Sequence, residues 1–151
     1  MGLIVSGIST CDLCGKVIAV GQEVMAFPPF ATNRKDPLAA FHDGGYHAAC
    51  VKASPLGARA TAVHEEIQKK SGRMCAVCNS EISNPVEYFG LGYLTDDPSS
   101  ELRAHNFTHL HAACVASWTS GPKVRAALQE LVASGAWEGP QLKKIINRLP
   151  A

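Results

Sequence analysis

The chain has no apolar run near the ~18 residues that a membrane-spanning helix requires, and it has almost no excess charge. Fourteen Lys and Arg stand against thirteen Asp and Glu, a formal net charge of +1. The first absence argues against a transmembrane segment. The second removes the broad basic field with which a non-specific nucleic-acid binder draws in its partner, so any such role needs a local patch. Cysteine is scarce, and none is spare: all six of the 151 residues' cysteines belong to one arrangement that occurs twice.

That arrangement is Cys-x2-Cys, thirty-two residues of spacer, then His-Ala-Ala-Cys-Val. Cys11, Cys14, His47 and Cys50 form the first set, and Cys75, Cys78, His111 and Cys114 the second, each member 64 residues beyond its counterpart. A lone Cys-x2-Cys could be a redox pair or half a metal site. Two pairs, each with a His-x2-Cys partner at the same distance, point to two structural Zn2+ ions, because zinc takes four N or S ligands in a closed tetrahedron. Cross-bracing, first pair with third and second with fourth, would also use all eight ligands. The repeat favours sequential pairing, since each copy then owns a complete site.

Units of 64 residues seldom stand on a hydrophobic core alone. Zinc supplies the deficit, since binding free energies of roughly 10 to 16 kcal/mol in finger peptides are largely folding free energy. Three thiolates and one Zn2+ leave each site at −1, so two sites carry the chain from +1 to about −1. Ligating thiols must stay reduced, which favours an intracellular, reducing compartment, cytoplasm or nucleus.

The predicted organisation is a small, metal-stabilised α+β chain: zinc-finger repeat 1 over 1–72, repeat 2 over 73–135 and a C-terminal amphipathic helix in 136–151. Each repeat opens on a tight turn around its cysteine pair. Val17–Val20 and Glu23–Phe27 are β-prone and separated by Gly21-Gln22, which predicts a short hairpin. A return strand is expected near Ala40-Phe41 or Tyr46. In repeat 2 a strand is expected over Val86–Leu91. His47 and His111 open helices whose first turns place His and Cys on one face. Further helices are predicted over Ala58–Lys70, Pro122–Ser134 and Gln141–Leu149, the last with Leu142, Ile145, Ile146 and Leu149 at i, i+3, i+4 and i+7.

The copies differ most in their loops. Arg34 and Lys35 mark the first, Pro28 to Pro37, whereas Asp96, Asp97 and Glu101 mark the second, Gly92 to Glu101. From Lys123 onward five basic residues face two acidic ones. Arg34, Lys35, Lys123, Arg125, Lys143, Lys144 and Arg148 are therefore the candidate contacts to a partner or a nucleic acid. His42, His64, His105 and His109 have no histidine counterpart in the other copy and are expected to be surface or hydrogen-bonded residues. Trp118 and Trp137 are expected in the core. Met1-Gly2-Leu3-Ile4-Val5-Ser6 fits the loose pattern for N-myristoylation, but a plain strand or chain end is the preferred expectation and a lipid anchor is not.

Knuckle, hairpin and a helix donating its first-turn ligands together resemble a treble-clef zinc finger, over Cys11 to about Ser71 and Cys75 to about Ser134. With Cys-x2-Cys, a spacer near thirty and His-x2-Cys in tandem, the chain is most similar to the zinc fingers of poly(ADP-ribose) polymerase type, whose ligands match the eight positions above. That resemblance implies recognition of DNA breaks through backbone contacts and exposed base stacks. The residues themselves favour another role. A site closed by three cysteines and one histidine has no open position for water or substrate, and no other catalytic set stands out, so no enzyme is expected. A protein-binding adaptor built on diverged loops and C-terminal helices, with a protein partner or self-association, is the first expectation. Binding of a DNA end, nick or single strand is the alternative.

Overall fold

The structure is a computed structural model that describes residues 4–151. Gly2, the position to which the lipidation pattern would apply, lies outside the described residues. The chain forms two compact units, one of 1–32 with 36–66 and the other of 33–35 with 67–151. It is a small α+β protein with two Cys3His clusters.

In the first unit a three-residue strand β1 (Val24–Ala26) pairs antiparallel with β2 (Gly45–His47), Met25 standing opposite Tyr46. The predicted hairpin between 17–20 and 23–27 does not form. Val17 instead bridges Thr10 across the cysteine turn, and Gly21, at φ +86°, closes a turn held by Gln22 Oε1, which accepts the Ala19 amide at 2.7 Å. Local β propensity loses here to the long-range partner, because strands this short are selected by what packs on them. Pro37–Phe41 is a 3-10 helix, so of the two places expected for the return strand it is Tyr46, in β2, that carries it. Asp36 caps it by accepting the Leu38 amide at 2.7 Å, and Pro37 supplies the fixed φ of a first helical position.

Helices α1 (Ala48–Ala53) and α2 (Gly57–Lys69) follow. Gly57 permits their close approach, since a Cβ there would collide with the Val51 carbonyl oxygen. The core is aromatic. Phe27, Phe41 and Tyr46 lie with ring centroids 5.5 to 5.6 Å apart, the His64 ring stands edge-on to Phe27, and Ile18, Leu38, Val51 and Val63 complete the packing. Burying each such side chain is worth about 1.5–3 kcal/mol.

The second unit contains β3 (Tyr88–Gly90), antiparallel to β4 (His109–His111) with Phe89 opposite Leu110. The strand predicted over 86–91 is shorter, because Pro85–Glu87 is a 3-10 turn capped by Asn84. Another 3-10 helix, Glu101–His105, is capped by Ser100. The helix expected from His111 is itself 3-10, Ala112–Ser117. Its six-residue counterpart in the first unit, Ala48–Ala53, is an α-helix.

α3 (Gly121–Ala133) ends in a Schellman motif: Gly135, at φ +68°, sends its amide to Val132 O at 3.1 Å, and Ala136 sends its amide to Leu131 O at 3.0 Å. α4 (Gln141–Arg148) then buries Leu142, Ile145 and Ile146, with Leu149 just beyond. They join Phe89, Val115, Trp118, Val124, Leu128 and Trp137 in one apolar core. No helix among the described residues is long and apolar enough to cross a membrane.

Candidate metal centres

The first cysteine pair sits on a knuckle whose turn the sequence dictates. Cys11 N–H donates to Lys16 O at 2.9 Å and Gly15 N–H to Cys11 O at 2.8 Å, with Gly15 at φ +69°, a conformation that excludes most side chains. The second knuckle repeats these bonds, Cys75 N–H to Ser80 O and Asn79 N–H to Cys75 O, both 2.9 Å. Asn79 takes the positive φ of +56°, the residue after Gly that tolerates it best.

Each histidine ends a strand and caps the following helix, so the pleat of β2 or β4 aims it at the knuckle while the helix brings the last cysteine three residues on. The ligand atoms of Cys11, Cys14, His47 and Cys50 all lie within 4.8 Å of one another, as do those of Cys75, Cys78, His111 and Cys114. The grouping is sequential, and none of the six cysteines is in a disulfide.

Geometry and donor chemistry both fit zinc. Zn–S near 2.3 Å and Zn–N near 2.0 Å at tetrahedral angles require S···N edges of about 3.6 Å. His47 Nδ1 lies 3.4 Å from Cys14 Sγ and 3.7 Å from Cys50 Sγ, and His111 Nδ1 lies 3.4 Å from Cys78 Sγ. Both histidines therefore present Nδ1 to the centre.

The protein also prepares charge for the ion. Burial pushes the Cys11 thiol up, but the amides of His47, Cys14 and Leu13 outweigh it and draw it down to about 6. Cys75 is likewise raised by burial and drawn down to about 6 by the amides of Cys78, His111 and Val77. The His47 and His111 amides reach Cys11 Sγ and Cys75 Sγ, each at 3.4 Å. Cys50 and Cys114 are pushed up to about 11, first by burial and then by the neighbouring sulfurs. The amide donors thus favour the thiolate at Cys11 and Cys75, the form in which a thiol ligates a cation.

The surroundings of the two centres differ. His47 Nε2 lies 3.0 Å from Gln22 Oε1, so the ring nitrogen turned away from the metal donates a hydrogen bond that fixes the tautomer. Among the described residues none accepts from His111 Nε2, and the residue 64 positions after Gln22 is Val86, which is exposed. Nothing in a single copy marks Gln22 as a supporting residue. The signal lies in the difference between copies at that position.

The other histidines are engaged elsewhere. His109 is bound on both nitrogens, to Tyr88 Oη at 3.0 Å and to Lys70 O at 3.0 Å, and His105 stands edge-on to Trp118. His64 packs on Phe27, while His42 caps the 3-10 helix Pro37–Phe41 and is exposed. Trp118 and Trp137 are buried.

All seven basic candidates fall in the second unit, and five are committed within it. Arg34 Nη1 lies 3.9 Å from Glu138, Lys35 Nζ donates to Gly135 O at 2.6 Å, and Lys123 Nζ meets Glu101 at 2.7 Å. Arg125 donates to Leu149 O at 3.0 Å, and the Arg148 guanidinium stacks 4.6 Å above the Phe89 ring. Lys143 and Lys144 are exposed on α4, and Lys144 and Arg148 share a groove with Tyr88, Phe89, Gly90, Gln141 and Ile145. Arg34 and Lys35 are placed by Asn33, which sequence reasoning did not single out. Its Oδ1 accepts the Lys35 and Glu138 amides at 3.1 and 2.9 Å, and its Nδ2 donates to Ala136 O at 3.1 Å.

No family model, curated protein or solved structure matches this chain.

Proposed function

We propose that the chain is a tandem of two treble-clef zinc fingers repeated at a 64-residue interval, each closed around a structural Zn2+, and that it serves as a non-enzymatic adaptor for another protein. The repeat reading draws support from the element bounds. Strand pairs 24–26 with 45–47 and 88–90 with 109–111, 3-10 helices 37–41 and 101–105, and helices 57–69 and 121–133 all differ by 64. So do the positive-φ positions Gly15 and Asn79, and Asp43 and Phe107.

A structural role follows from the donor count, since three sulfurs and one nitrogen complete a tetrahedron and leave no position for a substrate. The free thiols suit a reducing, intracellular compartment. The adaptor reading rests on one observation above all: five of the seven basic side chains that nucleic-acid binding would need are engaged within the chain by carbonyls, carboxylates and a ring. With a chain charge near zero, little cationic surface is left to displace counterions from a phosphate backbone.

A second reading, binding of a nucleic-acid end, nick or single strand, draws on the groove between β3 and α4, about 510 Å3, where Lys144 and Arg148 stand beside Tyr88 and Phe89. Fluorescence anisotropy with nicked and single-stranded DNA separates the two. The adaptor reading expects no binding at micromolar zinc-loaded protein. Binding that weakens steeply between about 50 and 200 mM salt would replace it with the second.

A further inference from the structure

The second unit leaves one strand edge open. Leu91 N–H donates to Thr108 O at 3.0 Å, and in the same register Phe89 of β3 stands opposite Leu110 of β4. Hydrogen-bonded pairs alternate along an antiparallel ladder. Phe89 therefore turns its N–H and C=O to β4, while Tyr88 and Gly90 turn theirs away from it. Pro85 O accepts the Tyr88 amide. The Tyr88 carbonyl and both backbone groups of Gly90 have no partner among the described residues.

Tyr88, Phe89 and Gly90 form one side of the open groove of about 510 Å3, and α4 forms the other with Gln141, Lys144, Ile145 and Arg148. These lining residues include two cations and no carboxylate. The Arg148 guanidinium is held 4.6 Å above the Phe89 ring, which engages its face and leaves its N–H edge without an acceptor among the described residues. Lys144 has no ion-pair partner among them either. A guanidinium held flat with its edge open is preorganised for a carboxylate.

We propose that this groove takes an extended, acidic segment of a partner protein, which pairs with the open edge of β3 at Tyr88 and Gly90 and sets two carboxylates against Lys144 and Arg148. The inference rests on the adaptor reading and gives the partner a chemistry. Residues one helical turn apart, such as Lys144 and Arg148, have Cβ atoms about 5–6 Å apart. Side chains at i and i+2 of a strand share a face about 6.6–6.8 Å apart, so alternate acidic residues meet both cations. A helix spends its backbone N–H groups internally. A phosphate backbone carries acceptors alone and would leave the Tyr88 and Gly90 carbonyls unpaired. A second copy's acidic loop is not the occupant: Asp97 already accepts from Ser99 N–H at 2.8 Å and Ser99 Oγ at 2.7 Å, and Glu101 meets Lys123.

The test sets the full zinc-loaded chain against two displayed peptide libraries of about ten residues, roughly 33 Å of extended chain. One fixes Asp or Glu at positions i and i+2, and the other fixes Lys or Arg there. The acidic library should be enriched and the basic one should not. The best peptide, made free, should move the Gly90 amide proton downfield. Methylating its backbone nitrogens one at a time should weaken it about fivefold or more at every second residue, where the N–H faces β3. Lys144→Glu should weaken it about tenfold or more, and Arg148→Gln should do the same if Lys144→Glu fails to fold. Lys69→Glu, an exposed change outside the groove, should leave binding within about twofold. Enrichment of neither library, or of the basic one, overturns the proposal. So does an acidic peptide indifferent to N-methylation or to both groove variants, which would leave the adaptor reading standing. Self-association abolished by Lys144→Glu would overturn it in favour of a second copy. Single-stranded DNA binding abolished by the same variant would remove the proposal and the adaptor reading together.

Discussion

Replacing Gln22 by Val should bring the first zinc site down to the level of the second. In the native chain Gln22 Oε1 accepts the Ala19 amide at 2.7 Å and lies 3.0 Å from His47 Nε2, so the carboxamide is held by the backbone and in turn holds the imidazole. With Nδ1 committed to the metal, that bond selects the ligating tautomer and raises ring basicity. Loss of such a supporting bond typically costs about 10- to 100-fold in affinity, or ~1.4–2.7 kcal/mol. Gln22 is exposed, so water replaces part of the bond and the lower end, about tenfold, is the expectation. Val86 already occupies the corresponding place near His111. Titration with a chelator of known affinity, with zinc loss at each site followed through the His47 and His111 ring resonances, should therefore show two steps in the native chain, the second site emptying first. In Gln22→Val the steps should merge. Equal affinities in the native chain, or no change in Gln22→Val, would refute the reasoning.

Asn106 is fully buried and holds the second loop, accepting the Leu94 and Thr95 amides at 2.8 and 3.2 Å and donating to Thr95 O at 2.6 Å. Asn106→Ala strands these groups and should cost about 2–4 kcal/mol, read as a lower urea midpoint with zinc present. Tyr46 is pushed up to about 12 by burial and then by the Asp12 carboxylate. Because the fold favours its neutral form, that stability is complete below about pH 10 and is lost as pH rises through about 12, some 2–3 kcal/mol in all. Tyr46→Phe gives up the bond to Ala40 O, about 1 kcal/mol at neutral pH, but should flatten the alkaline decline in chemical denaturation. Cys78→Ser, at an exposed ligand, should release zinc from the second site and abolish the dispersed amide spectrum of that unit while leaving resonances around Phe27 and Phe41 in place. Loss of both units together would show them to be one cooperative body.

The metal centres were legible because ligand chemistry is written in residue type and spacing: eight positions sufficed, and four-residue helical neighbours such as Ile145 and Leu149 announced α4. The strands were not. Val24–Ala26 is three residues long and pairs with residues some twenty positions on, so the propensity of Val17–Val20 was a stronger local signal for a partner that the knuckle and the turn at Gly21 had already claimed. The 3-10 helices were hidden inside polar loops, although Asp36-Pro37 carried the cap and the proline that start one. Charge was misleading in another way. Arg34, Lys35, Lys123, Arg125 and Arg148 read as free cations, and only three-dimensional packing reveals the carbonyls, carboxylates and ring that occupy them.

Zinc content and coordination, measured together on the purified chain, test the central claim most directly. Elemental analysis should find two zinc per chain, and X-ray absorption should show an average shell of three sulfurs at about 2.3 Å and one nitrogen at about 2.0 Å. One zinc per chain, iron in its place, or an oxygen ligand in the shell would contradict the two closed Cys3His centres on which the fold and the proposed function depend.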